Sequence, residues 1–405
     1  MIGAFLDPYW TDWLNLLLRW LHVIAAIAWI GASMYFVLLD QSLEDPKSEE
    51  DIRDGVRGEL WEVHGGGFYH VKKYKVAPPV LPDHLAWFKW EAYTTWLSGF
   101  ALMVVLYYFN ANAYLIEPSV ADLSSWEAVG ISVALLVVAW VVYDVLCRFL
   151  LPRGRNGEIV LWVLLVLLTT LAAWGCGQLF QPRAAFLQVG AMLGTIMAAN
   201  VFFNIIPAHW ELINAKKAGR EPDPTPGIIA RKRSVHNNYF TLPVLFTMLA
   251  GHFAFVYGAG RAWLVLIAIM LLGALTRVFY NLRHQGRTIW AIPAVGVVGV
   301  LLLAWAIKPD DADSGSTTTI AFAQVAPVIE QRCAPCHAQT PTEPGFSSPP
   351  AGIVLETPEQ IAARANEIKT VVSTKAMPLG NLTGMTNEER ALVVAWVTQG
   401  ASTDK

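Results

Sequence analysis

Cys333-Ala-Pro-Cys336-His337 is the stretch whose residue types most directly specify chemistry. Two thiols at this spacing can each form a thioether to a haem vinyl group, and the adjoining histidine then reaches the iron from one side. A methionine thioether is the usual partner on the other side. Met377, followed by Pro378, lies about 40 residues downstream, a suitable chain length for a small cytochrome c. Met385 is the alternative sixth ligand. The motif therefore predicts one covalent haem c on Cys333 and Cys336, with His337 and Met377 axial. The rival readings are a disulfide or half of a zinc site, but zinc normally takes four Cys or His ligands and no second pair lies nearby.

A second set of polar residues lies in or beside apolar stretches. Asn200 and Asn204 are spaced to share one helix face, and His209 and Glu211 follow them. Arg231, Arg233, His236, Asn237 and Asn238 make another group, Trp87, Phe88, Trp90 and Glu91 a third, and Arg277 and Asn281 a fourth. Guanidinium forks, carboxamides and aromatic faces suit a flat, anionic ring with many hydrogen-bonding edges. Glu91, His209 and His236 are the candidate proton acceptors. Asn204, Arg231, Arg233, Asn237 and Asn238 are the candidate binding residues. The plainer reading is that basic residues and Trp collect wherever apolar helices meet water. His22 and His252 each stand in an apolar stretch and could clamp a haem b, with Arg19, one turn from His22, on a propionate. Alternatively, each histidine bonds a neighbouring carbonyl.

These groups must be positioned by helices in a membrane. Hydrophobic residues make up 55% of the chain and charged residues 15%, which a soluble domain would not tolerate. The slightly negative net charge gives no sign of nucleic-acid binding. About eight stretches of spanning length follow, near 14–39, 93–109, 129–151, 159–180, 186–206, 239–257, 262–280 and 289–307. The expected fold is all-α: a polytopic bundle over 1–308, a polar flexible linker over 309–319, and a small class I cytochrome c domain over 320–405. Thr386, the acids after it and Gly400 bracket a final amphipathic helix. Cys147 and Cys176, alone in apolar stretches, read as buried thiols. The first apolar stretch is too long for a cleavable signal peptide and reads as a retained span.

Basic residues crowd the loops after spans one, three, five and seven, while Arg183 and Arg261 are exceptions in the alternate loops. That bias places the basic loops in the cytoplasm and both termini outside. Haem c maturation occurs on the same outer, periplasmic side of a bacterial inner membrane. The first basic loop holds His64-Gly-Gly-Gly67, which reads as a mobile surface loop whose glycines allow close approach. It lacks the Gly-x4-Gly-Lys phosphate pattern.

The chain resembles the integral-membrane urate oxidases of the PuuD type over nearly its full length. The resemblance rests on Trp20-Leu-His22-Val-Ile-Ala-Ala-Ile-Ala-Trp29-Ile-Gly31 and on Trp61-Glu-Val-His64-Gly-Gly-Gly-Phe-Tyr-His70-Val-Lys-Lys-Tyr74. It rests also on Phe88-Lys-Trp-Glu91-Ala-Tyr-Thr-Thr-Trp96-Leu-Ser-Gly99, on Arg233-Ser-Val-His236-Asn-Asn-Tyr-Phe-Thr-Leu-Pro243, and on the Cys333–His337 motif. The first segment is also similar to the opening helix of haem-binding membrane proteins of the HemJ and CopD kind. The resemblance implies oxidation of urate to 5-hydroxyisourate. Electrons would leave through the cytochrome to a downstream cytochrome or terminal oxidase rather than to oxygen at the site. Two readings of other classes compete: an electron-transfer subunit between a quinol or partner enzyme and an external acceptor, and a haem or metal carrier.

Overall fold

The structure, a computed structural model, describes residues 8–308 and 319–403. The chain is mostly helical, as the apolar stretches predict. The bundle comprises α1 (Pro8–Ser42), α2 (Trp90–Leu102), α3 (Ser125–Leu150), α4 (Gly154–Leu179), α5 (Pro182–Lys217), α6 (Thr225–Ala250), α7 (Ala262–His284) and α8 (Ala291–Ala306). Four helical stretches are long and apolar enough to cross a membrane: Tyr9–Ser42, Ser125–Leu179, Pro182–Lys217 and Ala262–His284. The second of these holds both α3 and α4, which turn back on each other at Gly154 (φ 66°). Tyr143 on α3 and Trp162 on α4 consequently meet the same residue, His236.

Eight crossings are expected from the apolar stretches, and α2, α6 and α8 fall short of that criterion for separate reasons. A π turn, Met103–Tyr108, interrupts α2 after 13 residues. The opening turns of α6 carry Arg231, Lys232 and Arg233. Helix α8 is apolar throughout but has only 16 residues. The sixth expected stretch, 239–257, also ends early: α6 stops at Ala250, and a separate turn of helix spans Ala254–Tyr257.

The glycine-rich segment after α1 is not a loose loop. It is an antiparallel hairpin of β1 (Val56–His64) and β2 (Gly67–Tyr74). Gly65 (φ 60°) and Gly66 (φ 83°) form its two-residue turn, and the hairpin twist requires positive φ at both positions. Two of the three glycines are thus required by the turn itself, and Gly67 opens β2 opposite His64. Alternation of apolar residues along Leu60, Trp61 and Val63 is broken by Glu62, which hid the strands. Tyr35 of α1 donates to Glu62 at 2.5 Å. Asp40 at the end of α1 takes Lys73 of β2 and, at 2.7 Å, Arg231 of α6. One carboxylate thus ties the hairpin to two helices.

The C-terminal unit builds a core of its own from α9 (Phe322–Arg332), α10 (Pro358–Ala363), α11 (Ala365–Ser373) and α12 (Asn387–Thr398), around Trp396. Thr386 caps α12 and Glu389 completes the capping box, with Gly400 (φ 102°) beyond the end, as the sequence predicts. Most of the predicted linker lies outside the described residues.

Helices α5 and α6 cross closely at Gly190, where an added Cβ would lie 1.9 Å from the Thr247 hydroxyl oxygen. Small residues permit such backbone approach between apolar helices. Gly190→Ala should therefore force the helices apart and cost about 1–3 kcal/mol, read as a lowered unfolding temperature in detergent. Thr247→Gly in the same protein should restore part of the loss. A Gly190→Ala protein as stable as its parent would contradict this crossing.

Candidate functional site

Helix periodicity places Arg233, His236 and Asn237 on one face of α6, one turn apart, and turns Asn238 to the next. The first three are buried and enter a single network with α3, α4 and α5. Arg233, 1% exposed, pairs with Asp144 at 2.7 Å and donates to the Asn200 amide oxygen at 3.2 Å. The Asp144 contact is an ion pair rather than a directed hydrogen bond, because Oδ1 is left without a well-aligned donor. Asn200 Nδ2 lies 2.8 Å from the Tyr143 hydroxyl and 3.0 Å from Asn237 Oδ1. Asn237 in turn donates to the Met197 carbonyl at 3.0 Å.

Tyr143 is 2.8 Å from His236 Nδ1, and the Trp162 ring meets His236 edge-on at 4.8 Å. Since Asn200 donates to the tyrosine oxygen, the tyrosine proton points to His236 Nδ1. The remaining imidazole proton is then on Nε2. The chain Asn200–Tyr143–His236 is polarised toward the histidine, an arrangement that can hold or move one proton.

Other expected site residues are dispersed. Asn238 meets Arg277 and, at 3.4 Å, Asn281, making a second buried pocket of polar groups between α6 and α7. Arg231 is committed to Asp40 on the surface and does not join the network. Glu211 pairs with Arg220 at 2.7 Å. His209 lies beside Trp87, with ring centroids 6.3 Å apart. Asn204 lies in the π turn Val201–Ile205 that follows Asn200, and its buried Nδ2 does not join the Asn200 hydrogen bonds.

Several buried atoms have no partner: Glu91 Oε2, Asn204 Nδ2, Arg233 Nε and Arg277 Nε. Native proteins leave few such atoms, so these mark unspent binding capacity. A cavity of about 250 Å³ opens beside Trp162, but its lining of Leu165, Val166, Phe240, Ile267 and Leu271 is apolar and unsuited to an anionic ring.

His22 and His252 do not meet. His22 Nδ1 lies 2.9 Å from the Thr95 carbonyl and 3.2 Å from the Ser98 hydroxyl. His252 sits exposed in the turn after α6. Arg19 is spent on Asn15, at 3.1 and 3.2 Å.

In the C-terminal unit, Cys333, Cys336 and His337 share one turn, and His337 Nδ1 lies 3.0 Å from the Ile353 carbonyl. That bond fixes the tautomer and leaves Nε2 as the ligating nitrogen. Burial pushes the Cys333 thiol up to about 12 and the Cys336 thiol up to about 11. No cluster of three or more His, Cys, Asp or Glu side chains suited to a metal ion occurs among the described residues. Met385 is buried in the unit's core, whereas Met377 is half-buried. These residues fit a covalently held haem.

Sequence reasoning passed over Tyr143, Asp144 and Trp162. The signal was present, since an ionisable residue such as Asp144 inside an apolar span has a functional or structural partner by default. If the unit holds haem c with Met377 as the sixth ligand, Met377→Ala should abolish the methionine-to-iron charge-transfer band and lower the potential. Met385→Ala should keep the band and instead lose about 2–5 kcal/mol of domain stability. The reverse pattern would transfer the ligand role to Met385.

No curated protein and no solved structure matches the chain. The family described as urate oxidase, N-terminal, matches residues 8–308, the whole bundle and most of the sequence. The chain therefore belongs to the urate oxidase N-terminal family.

Proposed function

We propose that this protein is a membrane-bound urate oxidase that forms 5-hydroxyisourate and passes the electrons to a c-type haem in its C-terminal unit. The observation that carries the reading is the family match over a bundle whose interior holds a polarised Tyr143–His236 pair beside a buried arginine. The reaction balances as urate plus water giving 5-hydroxyisourate, two protons and two electrons. Haem c would accept one electron at a time, so each turnover needs it reoxidised twice by a downstream cytochrome or oxidase. The chain's own residues handle charge and protons. Arg233 and Arg277 offer unpaired Nε donors to an anionic ring, and Asn204 offers an amide edge. Glu91 takes the proton of the attacking water, or His236 Nδ1 does so through Tyr143, which passes its own proton to Nδ1 as it receives the water's, while Nε2 keeps the proton it already carries.

In this reading the eight helices cross a bacterial inner membrane. The hairpin and basic loops lie in the cytoplasm, where urate is made, and the C-terminal unit lies outside. A haem b on His22 extends the reading, since the Thr95 contact leaves Nε2 of His22 for a metal. Its sixth ligand is then His252 after rearrangement, or another side chain.

Purified, quinone-free protein should show haem c reduced by urate alone. A requirement for added quinol would replace this reading with the electron-transfer subunit. Arg233→Ala, His236→Ala and Glu91→Ala should each slow urate-driven reduction by about a hundredfold or more while dithionite still reduces haem c fully. Normal rates in all three would move the site elsewhere. Acid-acetone extraction should release a non-covalent haem that His22→Ala protein lacks; a preparation holding only covalent haem removes the second haem.

A further inference from the structure

The loop that bears Met377 is the surface by which the C-terminal unit rests on the bundle. Thr374 lies against Gly258, so close that a Cβ on the glycine would be 2.1 Å from the threonine Cβ. Ala376 packs against the bundle core. Gly380 lies beneath the backbone carbonyls of Asn112 and Ala113, 2.5 and 3.0 Å from where its Cβ would stand. Ser347 hydrogen-bonds Asp12. Buried Glu117 acts electrostatically on Arg390, which holds the Met377 carbonyl at 2.5 Å and the Val372 carbonyl at 3.2 Å. The residues around Met377 are thus the docked ones.

Tyr114 belongs to the loop beneath them. It is close enough to the Cys336 sulfur to interact with it electrostatically. Its ring lies 5.8 Å from that of Tyr107, centre to centre. Tyr107 is the neighbour in sequence of Tyr108, which meets Phe100 at 6.3 Å, and Phe100 stacks on Trp96 at 5.4 Å. Two sets of packed rings, Trp96–Phe100–Tyr108 and Tyr107–Tyr114, are therefore joined by the one peptide between Tyr107 and Tyr108, and the second set ends near the cysteine that would carry the haem edge. Electron tunnelling falls steeply with the width of empty or saturated gaps, and packed π-systems narrow them.

We propose that the loop 110–117 is the port through which haem c receives electrons from the bundle, and that the ring of Tyr114 bridges the last gap. One electron passes per event from the oxidising substrate to the ferric iron. No bond forms or breaks at Tyr114, and its phenolic proton stays in place. The proposal rests on the urate oxidase reading, because it needs an electron source inside the bundle.

The test fixes the docked position covalently in the full-length holoprotein. Asp12→Cys and Ser347→Cys are joined by a short bis-maleimide; Cys147 and Cys176 are buried and out of its reach. The linked protein should form in high yield, keep the haem c midpoint potential, and be reduced by urate at the parental rate. Tyr114→Leu in that linked protein should slow reduction by about tenfold with the potential unchanged, while Tyr114→Phe stays within about twofold. Failure to link, loss of urate reduction on linking while dithionite still works, or an undiminished rate in Tyr114→Leu each overturns the port. If urate fails to reduce haem c in the unlinked parent, the urate oxidase reading falls, and the port with it. A parental protein that responds to urate with a variant that does not slow down removes the port alone.

Discussion

A guanidinium buried in a helical bundle is the constraint around which the rest of this fold is arranged. Arginine cannot shed its charge at any ordinary pH, so Arg233 must be met by a carboxylate and by hydrogen-bond acceptors where it stands. Asp144 supplies the charge, Asn200 an acceptor, and the Tyr143 ring lies 5.7 Å from the guanidinium carbon. Taking such a pair out of water is costly, and a hydrophobic replacement would often be as stable. What the pair contributes is a unique arrangement. With Arg233 locked to α3 and α5, the rotation of α6 about its axis is set. His236 must then face Tyr143 and Trp162, and Asn238 must face Arg277 on α7.

The legible part of this architecture follows from how local each signal is. The helix cap at Thr386, the haem-binding spacing at Cys333–His337 and the apolar stretches are short-range patterns, and the structure reproduces their helices. The buried group Arg233, His236 and Asn237 was also legible, because helical periodicity alone brings those three together. The hairpin was not. Its glycines announce a turn, but the strands flanking it carry charges on both faces, and Lys73 and Glu62 are held by partners on α1 that no local pattern reveals. Two local features carried no signal a periodic count could read: α6 ends before His252, and a π turn follows Asn200 and contains Asn204.

Under the proposed function the two ends of the bundle divide the products of one oxidation. The hairpin end carries Asp40, Lys73 and Arg231, and above it lie the buried amides and the tyrosine–histidine pair. The opposite end carries the aromatic run toward Cys336 and the docked unit. Protons are handled by groups that hydrogen-bond, and electrons by rings that pack. Each α-helix that bends to serve one of these ends does so through a π turn, Met103–Tyr108 in α2 and Val201–Ile205 in α5. Such turns are rare and concentrate at functional sites, because widening one turn re-aims side chains without breaking the helix.

The unpaired atoms carry the argument about substrate one step further. Tyr143, Asn200 and Asn237 are saturated by one another, so they can orient and polarise but have little left for a ligand. Unspent capacity belongs to Arg233 Nε, Arg277 Nε, Asn204 Nδ2 and Glu91 Oε2. Each costs about 1–3 kcal/mol while it stays buried without a partner. Three of the four are donors, and two of those sit on permanent cations. Asp144 already answers the charge of Arg233, and Arg277 stands with Asn238 in a separate buried group between α6 and α7, so the four atoms serve two places in the bundle rather than one. At either place a guanidinium donor left over inside an apolar bundle is best answered by the carbonyl oxygens of an anionic ring, which is the chemistry of the proposed substrate.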